Sequence, residues 1–167
     1  MIFIPFSDPI KIAKILDYKR LGKQRVEAKQ ILDIIEGRAK SNAWKSHPTV
    51  LMWKKYANAL KYYYDVMVLE WIRRGYQNNM PLFGVKNSKM PWFMHCQLVL
   101  MSHRATLLRK NYAHYSKYFK VPKIYIKHRV LWIVKGSNYL TAEQIKILKL
   151  STKKKIHLSI ADFVGEI

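Results

Sequence analysis

Carboxylates are scarce in this chain: 10 Asp and Glu stand against 31 Lys and Arg, a formal net charge of +21 on 167 residues. An excess of that size draws polyanions over distances set by ionic screening, which leaves nucleic acid and anionic membrane surfaces as natural partners. Cysteine is nearly absent. Cys96 stands alone, so an intramolecular disulfide and a cysteine-built metal site are both excluded; a reducing, intracellular setting and a small buried hydrophobe fit it. No glycine-rich phosphate loop and no close histidine pair at metal spacing occurs, so neither a metal nor a nucleotide cofactor is expected. No apolar run reaches the length of a membrane span, and Met1-Ile2-Phe3-Ile4-Pro5-Phe6 lacks the charged start of a signal peptide; a soluble protein that is not exported is expected.

What the chain does have is apolar substance. Hydrophobic residues make up 50%, which excludes a disordered basic tail, and 13% are aromatic, which favours nucleic acid over membrane because rings among cations stack on bases. The periodicity predicts an all-α domain of about three main helices. Asp8-Pro9 reads as an N-cap and first turn of a short helix from about Pro9 to Leu16 or Asp17. Leu21, Ala28, Ile31, Leu32 and Ile35 recur at helical spacing, with Arg20, Lys23, Gln24, Glu27 and Gln30 on the opposite face and Gly37 as a stop.

A long central helix is expected over residues 49–74, closed by Arg73-Arg74-Gly75, then a loop over 76–91 and a further helix over 92–109 with Ser102, His103, Arg104, Arg109 and Lys110 on its polar side. Residues 111–120 are densely aromatic and basic. Beyond Pro122, residues 124–126 and 130–134 read as short strands and 141–150 as a last helix behind a Thr141/Gln144 capping box, followed by the run Lys153-Lys154-Lys155. The division expected is a helical domain over 1–122 with a basic extension over 123–167 packed on it.

Glu27 is the conspicuous residue. It lies among Lys19, Arg20, Lys23 and Arg25, where nearby phosphates would repel it, so a catalytic role is weighed against a plain surface pair with Lys23. Expected phosphate or base contacts are Lys19, Arg20, Lys23, Arg25, His47, His103, Arg104, Arg109, Lys110, Tyr115 and Lys117. As a set these cations predict steep salt dependence, a slope of about −0.9 in log K against log salt for each phosphate neutralised. Tyr112, Tyr115 and Tyr118 are equally suited to contact with DNA and to packing, whereas Trp44, Trp53 and Trp71, at helical positions, are read as core.

Several ordered motifs resemble the pyrimidine-dimer DNA glycosylases. Asp17-Tyr18-Lys19-Arg20-Leu21-Gly22-Lys23, His47-Pro48-Thr49, Trp71-Ile72-Arg73-Arg74-Gly75-Tyr76-Gln77 and His114 through Lys120 are similar, in order and spacing, to segments of the family's phage prototype, endonuclease V. Agreement is closer with the cellular branch, at Lys19 to Ala28 and at Ser102 to Lys110. The resemblance covers residues 7–120. It implies base excision repair on double-stranded DNA kinked at a lesion, a base flipped out, and attack on the sugar carbon by an amino-terminal amine. A Schiff base and strand nicking by β-elimination (abasic-site lyase) would follow.

Two departures from the prototype matter. Its catalytic glutamate aligns with Arg20, which leaves Glu27, two helical turns later, to stabilise the sugar cation or shuttle protons. Its threonine terminus is replaced, because the bulk of Ile2 keeps Met1 in place; the Met1 amine is then the expected nucleophile, with Lys19 or Lys23 as substitutes. The alternative function is a non-enzymatic basic DNA-binding or packaging protein on the same scaffold; a third is an enzyme for another base lesion or for RNA.

Overall fold

The computed structural model describes residues 1–41, 43–121 and 130. Six α-helices occur among them: α1 (Pro9–Ile15), α2 (Tyr18–Ile35), α3 (Pro48–Trp53), α4 (Ala57–Arg73), α5 (Gln97–Lys110) and α6 (Tyr112–Tyr115), with a 3-10 turn at Trp92–Met94. The all-α expectation is met. The expected strands at 124–126 and 130–134, the helix at 141–150 and the extension over 123–167 lie outside the described residues, Val130 excepted.

Local chemistry accounts for most helix ends. Asp8 and Asp17 cap α1 and α2 through their carboxylates, Asp8 to the Ile10 N–H at 2.8 Å and Asp17 to the Arg20 N–H at 3.0 Å. Gly37 (φ 74°) and Gly75 (φ 84°) supply the left-handed turns after α2 and α4, a conformation that glycine adopts without a Cβ clash. The carbonyls left over at the end of α1 are met by side chains from elsewhere. Arg74 donates to the oxygens of Ala13 (2.8 Å), Lys14 (3.0 Å) and Leu16 (2.7 Å), while His114 Nε2 lies 2.8 Å from the Ile15 oxygen. Arg74 is itself oriented by Glu70, whose carboxyl is held down at about 2 chiefly by its hydrogen bond to Arg73 and further by Arg74. The Arg73-Arg74-Gly75 motif therefore fastens α4 to α1.

Two expectations about the helices need correction. The helix expected over 49–74 is two, α3 and α4. At Lys54 and Tyr56 the N–H groups bond three residues back, to Leu51 and Trp53, and Tyr56 leaves helical geometry (φ −125°, ψ 37°), so the helix tightens and ends without Gly or Pro. The bend leaves Trp53 and Tyr56 both edge-on to Phe93, with centroids 5.1 and 5.8 Å away.

The helix expected over 92–109 is likewise divided, with Cys96 extended before α5. The α5 helix also has no wholly polar side: Ser102, His103 and Thr106 are buried with Leu98, Val99, Ala105, Leu107 and Leu108. The hydroxyls of Ser102 and Thr106 return to the oxygens of Val99 (2.8 Å) and Ser102 (2.9 Å), so their polarity is satisfied inside the helix.

The core is aromatic and aliphatic, built around Trp53, Tyr63, Tyr64, Phe93 and Tyr115, and it includes the first residues of the chain. Ile2, Phe3 and Ile4 are each less than 5% exposed. This buried, non-helical start fixes where the chain terminus emerges.

Candidate active site

Three side chains from three helices clamp the first residues. Gln24 of α2, fully buried, accepts the Phe3 N–H (2.7 Å) and the Tyr63 hydroxyl (2.8 Å) on Oε1 and donates from Nε2 to the Met1 oxygen (3.0 Å). Tyr63 of α4 also lies 2.8 Å from the Phe3 oxygen, and Arg104 of α5 donates to the Pro5 oxygen at 2.8 Å with its guanidinium 4.9 Å from the Phe6 ring centroid. So held, the Met1 amine meets Oε2 of Glu27 in a short hydrogen-bonded ion pair. Glu27 lies one turn beyond Gln24 on α2, so the same stripe of helix that grips the backbone presents the carboxylate to the amine. Its partner is the chain terminus rather than the Lys23 ammonium considered from the sequence.

Glu27 shares its flank of α2 with Arg20 and Lys23, at helical offsets of seven and four residues. Arg20 is half-buried, pairs with Asp17 at 3.4 Å and donates to the Lys110 oxygen at 3.2 Å, which joins the start of α2 to the end of α5. Lys19, Lys23, Lys110 and Lys117 are exposed; Arg109 is also on the surface, with its guanidinium donating to the Thr106 hydroxyl at 2.8 Å. Arg25 is on the far flank. Its guanidinium stacks on Trp71 (4.1 Å) and bonds Asn78 Oδ1 (2.7 Å), so this cation is engaged in packing α2 against α4.

His47 caps α3, its Nδ1 accepting the Thr49 N–H at 3.2 Å, which leaves the ring hydrogen of the neutral form on Nε2. Burial, reinforced by the positive Met1 amine, holds this imidazole below the usual histidine range, while Glu27 pulls the other way; His47 thus lies within electrostatic reach of both.

Four expected placements are overturned. His103 is fully buried, edge-on to Phe3 at 6.3 Å, and burial pushes it down to about 3, so it is a neutral core residue and not a phosphate ligand on a polar face. Tyr115 is also fully buried; its hydroxyl accepts the Asp17 N–H at 3.2 Å, and Tyr112 (68% exposed) and Tyr118 (45%) are the solvent-facing rings of that segment. Trp44, read as core, is 60% exposed. Gln24 was assigned to the solvent face and is the central clamp. The signal for it was weak: a lone amide one turn before Glu27, next to apolar positions 21 and 28.

No group of three His, Cys, Asp or Glu residues suited to a metal occurs among the described residues, and none of their helices is long and apolar enough to cross a membrane.

The helical scaffold thus holds a main-chain amine against a carboxylate, beside exposed cations. Comparison with known families is specific. Residues 1–83 match the model of the family described as pyrimidine dimer DNA glycosylase, and this segment, which contains Met1, Gln24, Glu27, His47 and Tyr63, belongs to that family. No curated protein and no solved structure matches the chain.

Proposed function

We propose that the protein is a pyrimidine-dimer glycosylase with abasic-site lyase activity, in which the Met1 amine is the nucleophile and Glu27 the assisting carboxylate. The observation that carries this reading is the ion pair between the Met1 amine and Glu27, on a terminus whose next residues are buried and clamped. Attack requires the unprotonated amine, and the carboxylate is the group positioned to accept its proton. The nitrogen lone pair then forms a bond to the sugar carbon C1′ as the bond to the damaged base breaks; the base leaves with that electron pair and takes up the proton held by Glu27, which returns to its carboxylate form. Glu27 faces the positive charge that develops on the sugar. Opening of the sugar ring gives an iminium, and loss of a C2′ proton expels the 3′ phosphate, which nicks the strand.

C1′ is inaccessible within a stacked duplex, so a kinked DNA with a flipped base belongs to this reading. Lys19, Arg20, Lys23, Arg109, Lys110 and Lys117 are the phosphate contacts, His47 sits at the edge of the site, and Arg25 and Arg104 support it from within.

The test is incubation with a duplex carrying one cyclobutane thymine dimer, with and without borohydride, beside abasic and undamaged duplexes. Dimer-dependent cleavage and a reduced adduct on Met1 are expected, both lost in Glu27→Gln. Salt-sensitive binding that ignores lesions and yields no adduct would replace this reading with the packaging protein.

A further inference from the structure

An indole in water is an uncommon use of tryptophan, because its large apolar surface is ordinarily buried. Trp44 leaves most of its ring to solvent, at 60% exposure, yet it does not hang on a loose loop. Its ring lies against the His47 imidazole at a centroid distance of 4.8 Å and an angle of 37°, and its carbonyl accepts the His47 N–H at 3.0 Å. His47 in turn is fixed as the cap of α3 through the Thr49 N–H, and Thr49 is buried. The indole therefore rests on a pedestal that belongs to the folded core, and the pedestal stands within electrostatic reach of the Met1 amine and Glu27. Exposed Lys40 and Lys45 lie on either side of it in the chain.

From this placement we infer that Trp44 is a base-stacking residue: it receives a nucleobase that loses its stack when DNA is kinked at the candidate site, with Lys40 and Lys45 on the adjoining phosphates. The inference rests on the reading under Proposed function. An exposed ring between cations meets both demands of a displaced nucleotide, a flat apolar face and a phosphate. It also favours damaged DNA, since a step that already stacks poorly surrenders its base at lower cost.

The experiment compares the full chain with Trp44→Ala and Trp44→Phe on dimer-containing and undamaged duplexes, with 2-aminopurine opposite the dimer as a fluorescent probe. Trp44→Ala is expected to weaken binding to the dimer duplex by roughly 5- to 100-fold, to leave undamaged binding unchanged, and to abolish the stacking-dependent change in 2-aminopurine emission. Trp44→Phe should restore most of both. Melting temperatures should agree among the three proteins, as an exposed ring predicts.

Equal dimer binding and an equal 2-aminopurine signal in Trp44→Ala would overturn the inference, as would equal weakening on both duplexes, the mark of a general contact. Borohydride trapping in the wild type separates the two readings. Absence of a Met1 adduct would sink the proposed chemistry, while the binding and fluorescence arms would still decide the role of Trp44.

Discussion

Each of the seven acids among the described residues has an engagement of its own. Asp8 and Asp17 cap helices, Asp33 holds Lys29 and Arg38, Glu36 holds Lys61 and Arg38, Asp65 takes the N–H groups of Phe83 and Val85 at 2.9 Å, and Glu70 pairs with Arg73 and Arg74. Glu27 alone of these meets the chain terminus. A poverty of acid is thus read best residue by residue, since no carboxylate among the described residues is spare. Gln24 makes the sharper test, because its amide serves three partners in a site without water access. Gln24→Leu keeps the volume but strands the Phe3 N–H and the Met1 oxygen, which should lower unfolding free energy by about 2 kcal/mol. Chemical denaturation measures that loss, and Met1 trapping should slow while binding to undamaged duplex is retained.

Helices α2 and α4 meet where Gly22 lies flat against Trp71. A Cβ at Gly22 would sit 3.1 Å from the Trp71 ring, and that ring has nowhere to go: Arg25 covers it at 4.1 Å, Tyr76 stacks on it at 4.1 Å, and Nε1 donates to the Gln77 oxygen at 2.9 Å. Helix propensity alone would make Gly22→Ala stabilising by about 1 kcal/mol. The opposite is expected, a lower melting temperature, with the propensity gain recovered when Trp71→Leu opens the space.

The elements also show what a sequence conveys. Helix α1, the end of α2 at Gly37 and the close of α4 at Arg73-Arg74-Gly75 were legible, because caps and left-handed glycines act locally. Glu27 and Met1 were legible as candidates through charge contrast and motif. The break at Lys54–Tyr56 was not, since it is set by how Trp53 and Tyr56 meet Phe93. Nor were Gln24, His103 and Trp44: periodicity counts a polar side chain as solvent-facing and an indole as core, and here internal hydrogen bonds, burial and a surface pedestal reverse those assignments.

At the scale of the whole molecule, two buried groups make stability depend on acid in windows that open at different pH and overlap below about 4.5. His103 lies at about 3 in the fold, below the ordinary histidine value of 6.5, so the unfolded chain binds that proton first. Its contribution is complete above about pH 6.5 and is lost as pH falls toward 3. His47, held low as well, adds in the same direction. Glu70, at about 2 against an ordinary 4.5, contributes above 4.5 and loses that contribution as pH falls toward 2. Urea midpoints recorded against pH should therefore decline in two stages, the first flattened between 6.5 and 4.5 in His103→Gln and the second flattened in Glu70→Gln.

The clamp on the first residues has a consequence in time. Phe3 and Pro5 leave the ribosome before their partners at Gln24, Tyr63 and Arg104, which follow over about the next hundred residues, roughly 5–20 s of synthesis. Until the last of them arrives, the opening segment has no complete seat. The order of synthesis and the order of assembly therefore run opposite ways here: the segment made earliest is seated only when α5, made far later, supplies Arg104.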